Sequence, residues 1–152
     1  FSKEVSLGNG FKNIEIHLPY SVKLTLYKME LDENAVIEPI KYKKILLAYG
    51  DSITHGFDAL HPSRQYTSKL CNMLNAEEYN KGIGGTKFNP LLARLQDGIT
   101  PDYITVAYGT NDLGNYNQSD FRKKCREFFQ NLSKKGKKKH IKIEQVINFD
   151  VF

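Results

Sequence analysis

The sequence predicts an α/β fold, namely a three-layer, doubly wound parallel sheet that is incomplete and carries a short antiparallel β appendage at its N-terminus. Two observations predict the sheet. An uninterrupted apolar run at 45–49 and a largely apolar run at 103–108 are typical of strands buried on both faces. Segments with apolar residues at helical spacing follow these runs, so strands and helices alternate as they do in doubly wound sheets.

The N-terminal residues 1–42 have a different pattern and predict the appendage. Polar and apolar residues alternate at 13–18 and again at 22–27, which predicts two half-exposed antiparallel strands. About 40 residues are too few to close a β-sandwich, so we expect this segment to pack on the α/β part or to need residues upstream. The chain is therefore divided into this appendage and an α/β domain over 43–152.

Three helices are predicted in the α/β domain. Ser63 can cap the first, Pro90 can open the second, and Ser119 can cap the third, which has the clearest pattern. The third helix presents an apolar stripe made of Phe121, Cys125, Phe128, Phe129 and Leu132. Gly136 is expected to end it, and apolar residues within 141–147 predict a last strand.

Composition and charge exclude several classes of protein. The 152 residues, of which 40% are hydrophobic, suit one packed domain. No stretch approaches the roughly 20 apolar residues of a membrane helix, so no membrane span is expected. The net charge of +5 comes from six lysines within 134–142, and the rest of the chain is nearly neutral. A basic turn of this kind argues against a nucleic-acid groove.

The two cysteines give no sign of a disulfide or a metal site. Cys71 and Cys125 both fall on apolar faces of predicted helices, and no ligand spacing joins them to a histidine. No metal and no cofactor are expected. The N-terminus shows no signal-peptide pattern, but Phe1 is not a natural start residue, so cytoplasmic and secreted locations both stay open. The oligomeric state is left open as well.

Three short segments carry the chemistry. Gly50-Asp51-Ser52 follows the first apolar run directly, which places the Ser52 hydroxyl at the carboxyl edge of the sheet as a candidate nucleophile. Gly109-Thr110-Asn111-Asp112 follows the second run in the same way, so the Asn111 amide should reach the same edge. Between them, the glycines of 82–85 leave backbone N–H groups free to approach a substrate oxygen.

In this order, the three segments resemble three sequence blocks of the SGNH, or GDSL, serine hydrolase superfamily. The resemblance covers residues 43 to 133 and implies that Ser52 is the nucleophile. It also implies an oxyanion hole formed by the backbone N–H groups of Ser52 and Gly85 and the side-chain amide of Asn111. The N-terminal segment is similar to the end of the β-sandwich that precedes the hydrolase domain in two-domain carbohydrate esterases.

The fourth block of that family, Asp-x-x-His, has no counterpart at the expected place. The family's histidine is the general base and its aspartate holds the tautomer. Here Asp58 and His61 fit the letters but lie just after the nucleophile turn, while His17, His55 and His140 have no matching context. The general base and its aspartate are therefore unknown, and we expect the chain by itself to be impaired in catalysis.

The resemblance implies a serine esterase or acylhydrolase that releases small acyl groups, with acetyl as the expected group, from a small ester or an acetylated carbohydrate. Two alternatives stay open. One is a catalytically inactive SGNH-type fragment with a binding or structural role. The other is a phosphate or flavin site of the flavodoxin type at the glycines of 82–85, although the Gly-rich signatures of nucleotide-binding loops are lacking.

Overall fold

The computed structural model describes residues 3–94, 98–115, 117–134 and 143–145. Its centre is a four-stranded sheet in the order β2-β1-β3-β4, in which every neighbouring pair is parallel. The strands are β1 (Lys44–Gly50), β2 (Ala76–Gly82), β3 (Tyr103–Ala107) and β4 (Ile143–Gln145). This confirms the predicted parallel α/β sheet, and the order is that of flavodoxin-like doubly wound folds.

Three α-helices connect or follow the strands. They are α1 (Ser52–His55), α2 (Tyr66–Leu74) and α3 (Gln118–Ser133). Short 3₁₀ turns lie at Pro62–Arg64, Leu92–Arg94 and Thr110–Asn115. The second predicted helix is present only as the turn at Leu92–Arg94 within the described residues, since 95–97 lie outside them.

Both predicted serine caps are wrong, because nearby amide residues take those positions. The N-cap of α2 is Gln65, and Ser63 lies inside the preceding 3₁₀ turn. The N-cap of α3 is Asn117, whose side-chain oxygen accepts from the backbone N–H of Ser119 at 3.1 Å and of Asp120 at 3.2 Å. The longer Asn117 side chain thus satisfies two of the first N–H groups of the helix.

The apolar stripe of α3 packs on the sheet as expected. Phe128 and Leu132 are fully buried against the β-strands, together with Tyr49 of β1. Phe128 makes edge-to-face contacts with Tyr49 and with Phe88, at centroid distances of 5.6 Å in both cases. These contacts hold α3 against one face of the sheet. Gly136, the predicted end of α3, lies outside the described residues.

The predicted antiparallel appendage is not present as a sheet. No strand occurs in the described N-terminal residues 3–43, and the alternating apolar side chains there are exposed, with Ile16 61% and Leu26 66% accessible. The physical reason is that a two-stranded hairpin is marginal without a layer that covers its apolar face. Alternation predicted a half-buried strand, but the described residues supply no such cover.

Two further properties concern the cysteines and the helices of the described residues. Cys71 is buried and Cys125 is half-buried, and both are free thiols. Among the described helices, none has both the length and the apolar character needed to cross a membrane.

Candidate active site

The ends of three parallel strands lie side by side and deliver the three predicted segments to one edge. In the register of the sheet, Gly50 at the end of β1 pairs with Gly82 at the end of β2 and with Ala107 at the end of β3. β2 and β3 lie on opposite sides of β1, so the order of the strands changes direction between β1 and β3. Ligands of doubly wound folds bind at this kind of switch point. The edge is therefore the place where a site is expected.

The nucleophile turn is built around a glycine that admits no side chain. A Cβ on Gly50 would lie 1.9 Å from Thr54 Oγ1 and 2.7 Å from the carbonyl oxygen of Ala107. Asp51, only 2% exposed, accepts a 3.0 Å hydrogen bond from the backbone N–H of Ile53 and so caps α1. Ser52 is the first residue of this one-turn helix and is half-buried.

The glycine loop after β2 lies against the same helix. A Cβ on Gly82 would be 2.3 Å from the backbone nitrogen of His55, so the two backbones are in direct contact. The N–H of Ile83 donates to the carbonyl of Gly50 at 3.0 Å and ties the loop to the nucleophile turn. Gly85 has a φ of +74° and open space where a Cβ would stand. Its backbone therefore has the freedom that glycine provides.

The third segment is bonded to the glycine loop. The Asn111 side-chain amide donates to the carbonyl of Thr86 at 3.2 Å, directly after Gly85 in the chain. Asp112, which is buried, accepts a 3.2 Å hydrogen bond from the backbone N–H of Phe88. The structure thus brings the second and third segments together, and α1 and β1 connect them to Ser52. The roles of Ser52, Gly85 and Asn111 in an oxyanion hole stay predictions.

Sequence reasoning gave no separate role to the buried Asp112, which joins the third segment to the loop after β2. The available signal was its position directly after Asn111, where a carboxylate can accept from backbone N–H groups of a neighbouring loop. A second residue at this edge, Tyr108, is almost wholly buried. Burial raises the pKa of the Tyr108 phenol, and the nearby Tyr49 and Asp51 raise it further. Tyr108 is therefore a neutral hydroxyl below the site.

The described histidines do not form a catalytic pair with Ser52. His55 packs edge-on against Tyr20, with the ring centroids 5.8 Å apart. His17 lies in the N-terminal segment, where its Nε2 is 3.3 Å from Oε2 of Glu15. His61 is exposed, at the start of the 3₁₀ turn. None of these three is hydrogen-bonded to Ser52 within the described residues, and His140 lies outside them.

Metal ligation has no support in the part of the chain that the structure describes. There, no group of three or more His, Cys, Asp or Glu side chains is close enough to hold a metal ion. The polar groups at the edge include a serine, backbone N–H groups and an amide, beside the buried carboxyl groups of Asp51 and Asp112. This set is suited to acyl transfer, in which donors stabilise a developing oxyanion.

Comparison with known proteins agrees with the fold and the motifs. Residues 48–148 match the model of the GDSL-like Lipase/Acylhydrolase family. A search of curated protein sequences gives no significant match. Among solved structures, the chain is similar to AlinE4, an SGNH-hydrolase family esterase, with a TM-score of 0.56 and 22% identity over 69% of this chain and 59% of that chain.

Two other solved structures show the same fold. One is a family two carbohydrate esterase from Clostridium thermocellum in complex with cellohexaose, with a TM-score of 0.60 and 14% identity over 71% of this chain and 44% of that one. The other is a putative lipolytic protein of the G-D-S-L family from Desulfitobacterium hafniense DCB-2, with a TM-score of 0.54 and 18% identity over 66% of this chain and 57% of that one.

The chain spans about half the length of these solved structures, so its sheet is incomplete relative to theirs. At these identities the structural likeness establishes the fold alone. The family match covers most of the chain, and it includes the serine, glycine and asparagine segments that meet at the edge of the sheet. The chain therefore belongs to the GDSL-like lipase/acylhydrolase family.

Proposed function

We propose that this chain carries the nucleophile and the oxyanion-binding groups of a serine esterase that releases small acyl groups. The observation that carries the proposal is the register of the strand ends, in which Gly50 is paired with both Gly82 and Ala107. That register directs the three family segments to one edge. A serine hydroxyl and several N–H donors at one edge are what acyl transfer requires.

In the proposed reaction, the Ser52 hydroxyl attacks the carbonyl carbon of the ester and the alcohol leaves. Backbone N–H groups of Ser52 and Gly85 and the amide of Asn111 donate to the oxyanion of the tetrahedral intermediate. Asn111 uses one of its two amide hydrogens for Thr86, so one is left for the oxyanion. Water then hydrolyses the acyl-enzyme. A base must carry the Ser52 proton to the leaving alcohol, and hydrolysis of the acyl-enzyme then frees the carboxylic acid and returns a proton to Ser52. We assign none of the described histidines to the role of that base.

For the substrate, we propose a small ester, with acetylated carbohydrate as the first class to test. The support comes from similar folds, which include the carbohydrate esterase with cellohexaose and a carbohydrate acetylesterase family member from Sinorhizobium meliloti. Gly85 is exposed and open space surrounds the position of its absent side chain, which favours access by a bulky alcohol such as a sugar.

The test is hydrolysis of p-nitrophenyl acetate and of acetylated xylo-oligosaccharides by the full chain and by its Ser52→Ala variant. Because no described histidine serves as the base, the proposal expects only a slow rate, above background and lost in Ser52→Ala, with an unchanged melting temperature because Ser52 is only half-buried. Equal rates for the two proteins on every ester would contradict it. Labelling of Ser52 by a serine-directed phosphonate gives an independent measure of nucleophile activation.

A second candidate is a binding role in which the fold keeps the oxyanion donors without turnover. The observation that favours it is that Ser52 has no histidine partner among the described residues. This candidate predicts equal hydrolysis by the chain and by Ser52→Ala, together with saturable acetate binding that shifts the Gly85 amide resonance. Absence of both turnover and acetate binding would argue against the two candidates alike.

A further inference from the structure

The helix that carries Ser52 is held at its C-terminal end by side chains from other elements. A one-turn helix cannot bond its own last carbonyl groups. In α1 the carbonyl of Thr54 accepts from the Asn80 side-chain amide at 2.7 Å, and that of His55 accepts from the Gln65 amide at 3.2 Å. The first of these partners belongs to β2 and the second precedes α2. The position of α1 therefore depends on contacts made by distant parts of the chain.

Asn80 also bonds the start of the glycine loop. Its side-chain oxygen accepts from the backbone N–H of Gly82 at 2.8 Å, while its nitrogen donates to Thr54. The opposite amide orientation would set N–H₂ against N–H and oxygen against a carbonyl, so the network determines the orientation. The second hydrogen of the nitrogen faces oxygens of Thr67, Gln65 and Glu78 at 3.3–3.4 Å.

We propose that Asn80 is a positioning residue whose single amide sets the distance between the helix that carries Ser52 and the loop that carries Gly85. The inference rests on the proposed function, because it matters for acyl transfer only if these two residues act together. The backbones of Gly82 and His55 are in direct contact, so the Asn80 amide holds two segments that have no room to move closer together. Displacements of about 1 Å in such sites can cost about 10²-fold in rate.

The Asn80→Asp variant tests the nitrogen separately from the oxygen. At pH 7 the new carboxylate still accepts from Gly82, but it repels the carbonyl oxygen of Thr54. When protonated it regains an O–H donor. Partial burial beside the carboxylate of Glu78 should raise its pKa, so mild acid should restore the bond. If Asn80→Asp acted only through a change of side-chain size or a general loss of stability, mild acid would not reverse its effect.

Asn131→Asp is the matched control. Asn131 is 7% exposed on α3, and its amide donates to the carbonyl of Pro90 at 3.1 Å. The substitution removes the same kind of donor from a backbone carbonyl in another part of the fold. It should lower stability without changing the contact between α1 and the glycine loop.

The first readout is the hydrogen-exchange protection factor of the Ile83 amide, which bonds Gly50. We expect Asn80→Asp to lower this factor about tenfold at pH 7, as loss of one hydrogen bond implies, and to recover it at pH 5. Asn131→Asp should leave it unchanged. Unchanged protection in Asn80→Asp, or an equal loss in both variants, would overturn the proposal. If Asn80→Asp does not fold, Asn80→Ser should show the loss at both pH values.

The second readout is the rate at which a serine-directed phosphonate labels Ser52, relative to the unsubstituted chain at each pH. A loss of at least about tenfold in Asn80→Asp at pH 7, with recovery at pH 5, is expected for a positioning role. Equal labelling of the two proteins overturns that role. If the unsubstituted chain is not labelled, the esterase proposal fails, and Ile83 exchange alone then decides whether Asn80 joins the helix to the loop.

Discussion

The side-chain amide of Asn111 donates a 3.2 Å hydrogen bond to the carbonyl oxygen of Thr86. This bond connects the segment after β3 to the segment after β2, one residue beyond Gly85. Asn111 is therefore placed by the loop with which it is proposed to act. The arrangement resembles pre-organisation, in which donors are held in place before charge develops on the substrate.

Replacing Asn111 by alanine should lower the Ser52-dependent rate of p-nitrophenyl acetate hydrolysis by about 10²- to 10³-fold, the usual cost of losing one oxyanion donor. The free energy of unfolding should fall by only about 1 kcal/mol, because one hydrogen bond to Thr86 is lost. Asn117→Ala is a suitable control, since it removes the α3 cap at a similar cost of about 1 kcal/mol. A full rate in Asn111→Ala would remove this residue from the proposed hole.

Two glycines at the site should respond differently to alanine. At Gly50 a Cβ meets Thr54 Oγ1 at 1.9 Å and the Ala107 carbonyl oxygen at 2.7 Å, so Gly50→Ala should destabilise the chain by about 1–3 kcal/mol or more through overpacking. At Gly85 the space is open and only the positive φ is strained, which costs about 1–2 kcal/mol. Urea denaturation would measure both. Equal midpoints for Gly50→Ala and the unsubstituted chain would contradict the close packing of the nucleophile turn.

The aromatic contacts of Phe128 on α3 should make a large contribution to the stability of the fold. Phe128 is fully buried between Tyr49 and Phe88, and Phe128→Ala should lower the free energy of unfolding by about 3–5 kcal/mol. Met73→Ala is the matched surface control, because Met73 is 82% exposed on α2 and should change stability by less than about 0.5 kcal/mol. Thermal unfolding of the two variants tests this. Similar losses of stability in both variants would show that the aromatic contacts of Phe128 are not part of the core.

The buried thiol of Cys71 should make the folded state less stable at high pH. Burial, followed by the charges of Glu78 and Glu15, raises the pKa of the Cys71 thiol to about 12. Between the ordinary thiol pKa and this value, the unfolded chain loses a proton that the folded chain keeps. The stability contributed by Cys71 is therefore fully present below the ordinary pKa and is lost as pH rises above it.

The measurement is urea unfolding between pH 7.5 and pH 10.5, alongside a Cys71→Ala variant, whose stability should fall less steeply with pH. The buried Cys71 should also react more slowly with a disulfide reagent than the half-buried Cys125 at pH 8. Rapid reaction of both thiols in the native chain would contradict the packing around α2.

Much of the local structure around the candidate site was predictable because its signals lie close together in the sequence. The apolar run ending at Gly50 predicts a buried parallel strand, and Ser52 must then follow at its carboxyl edge. Gly50 itself could be anticipated, because a tight strand-to-helix turn leaves no room for a Cβ. Asn80 could not be assigned a role from sequence, because its partner Thr54 lies 26 residues away.

The sequence by itself determined the α/β class, the parallel strands and the order of the serine, glycine and asparagine segments, since hydrophobic periodicity and glycine geometry act over a few residues. Only the tertiary structure decided which residues cap the helices and which amides join the loops, because these depend on contacts between distant segments. It also decided against a β appendage, since alternation in 13–27 becomes a sheet only when another layer covers its apolar side chains.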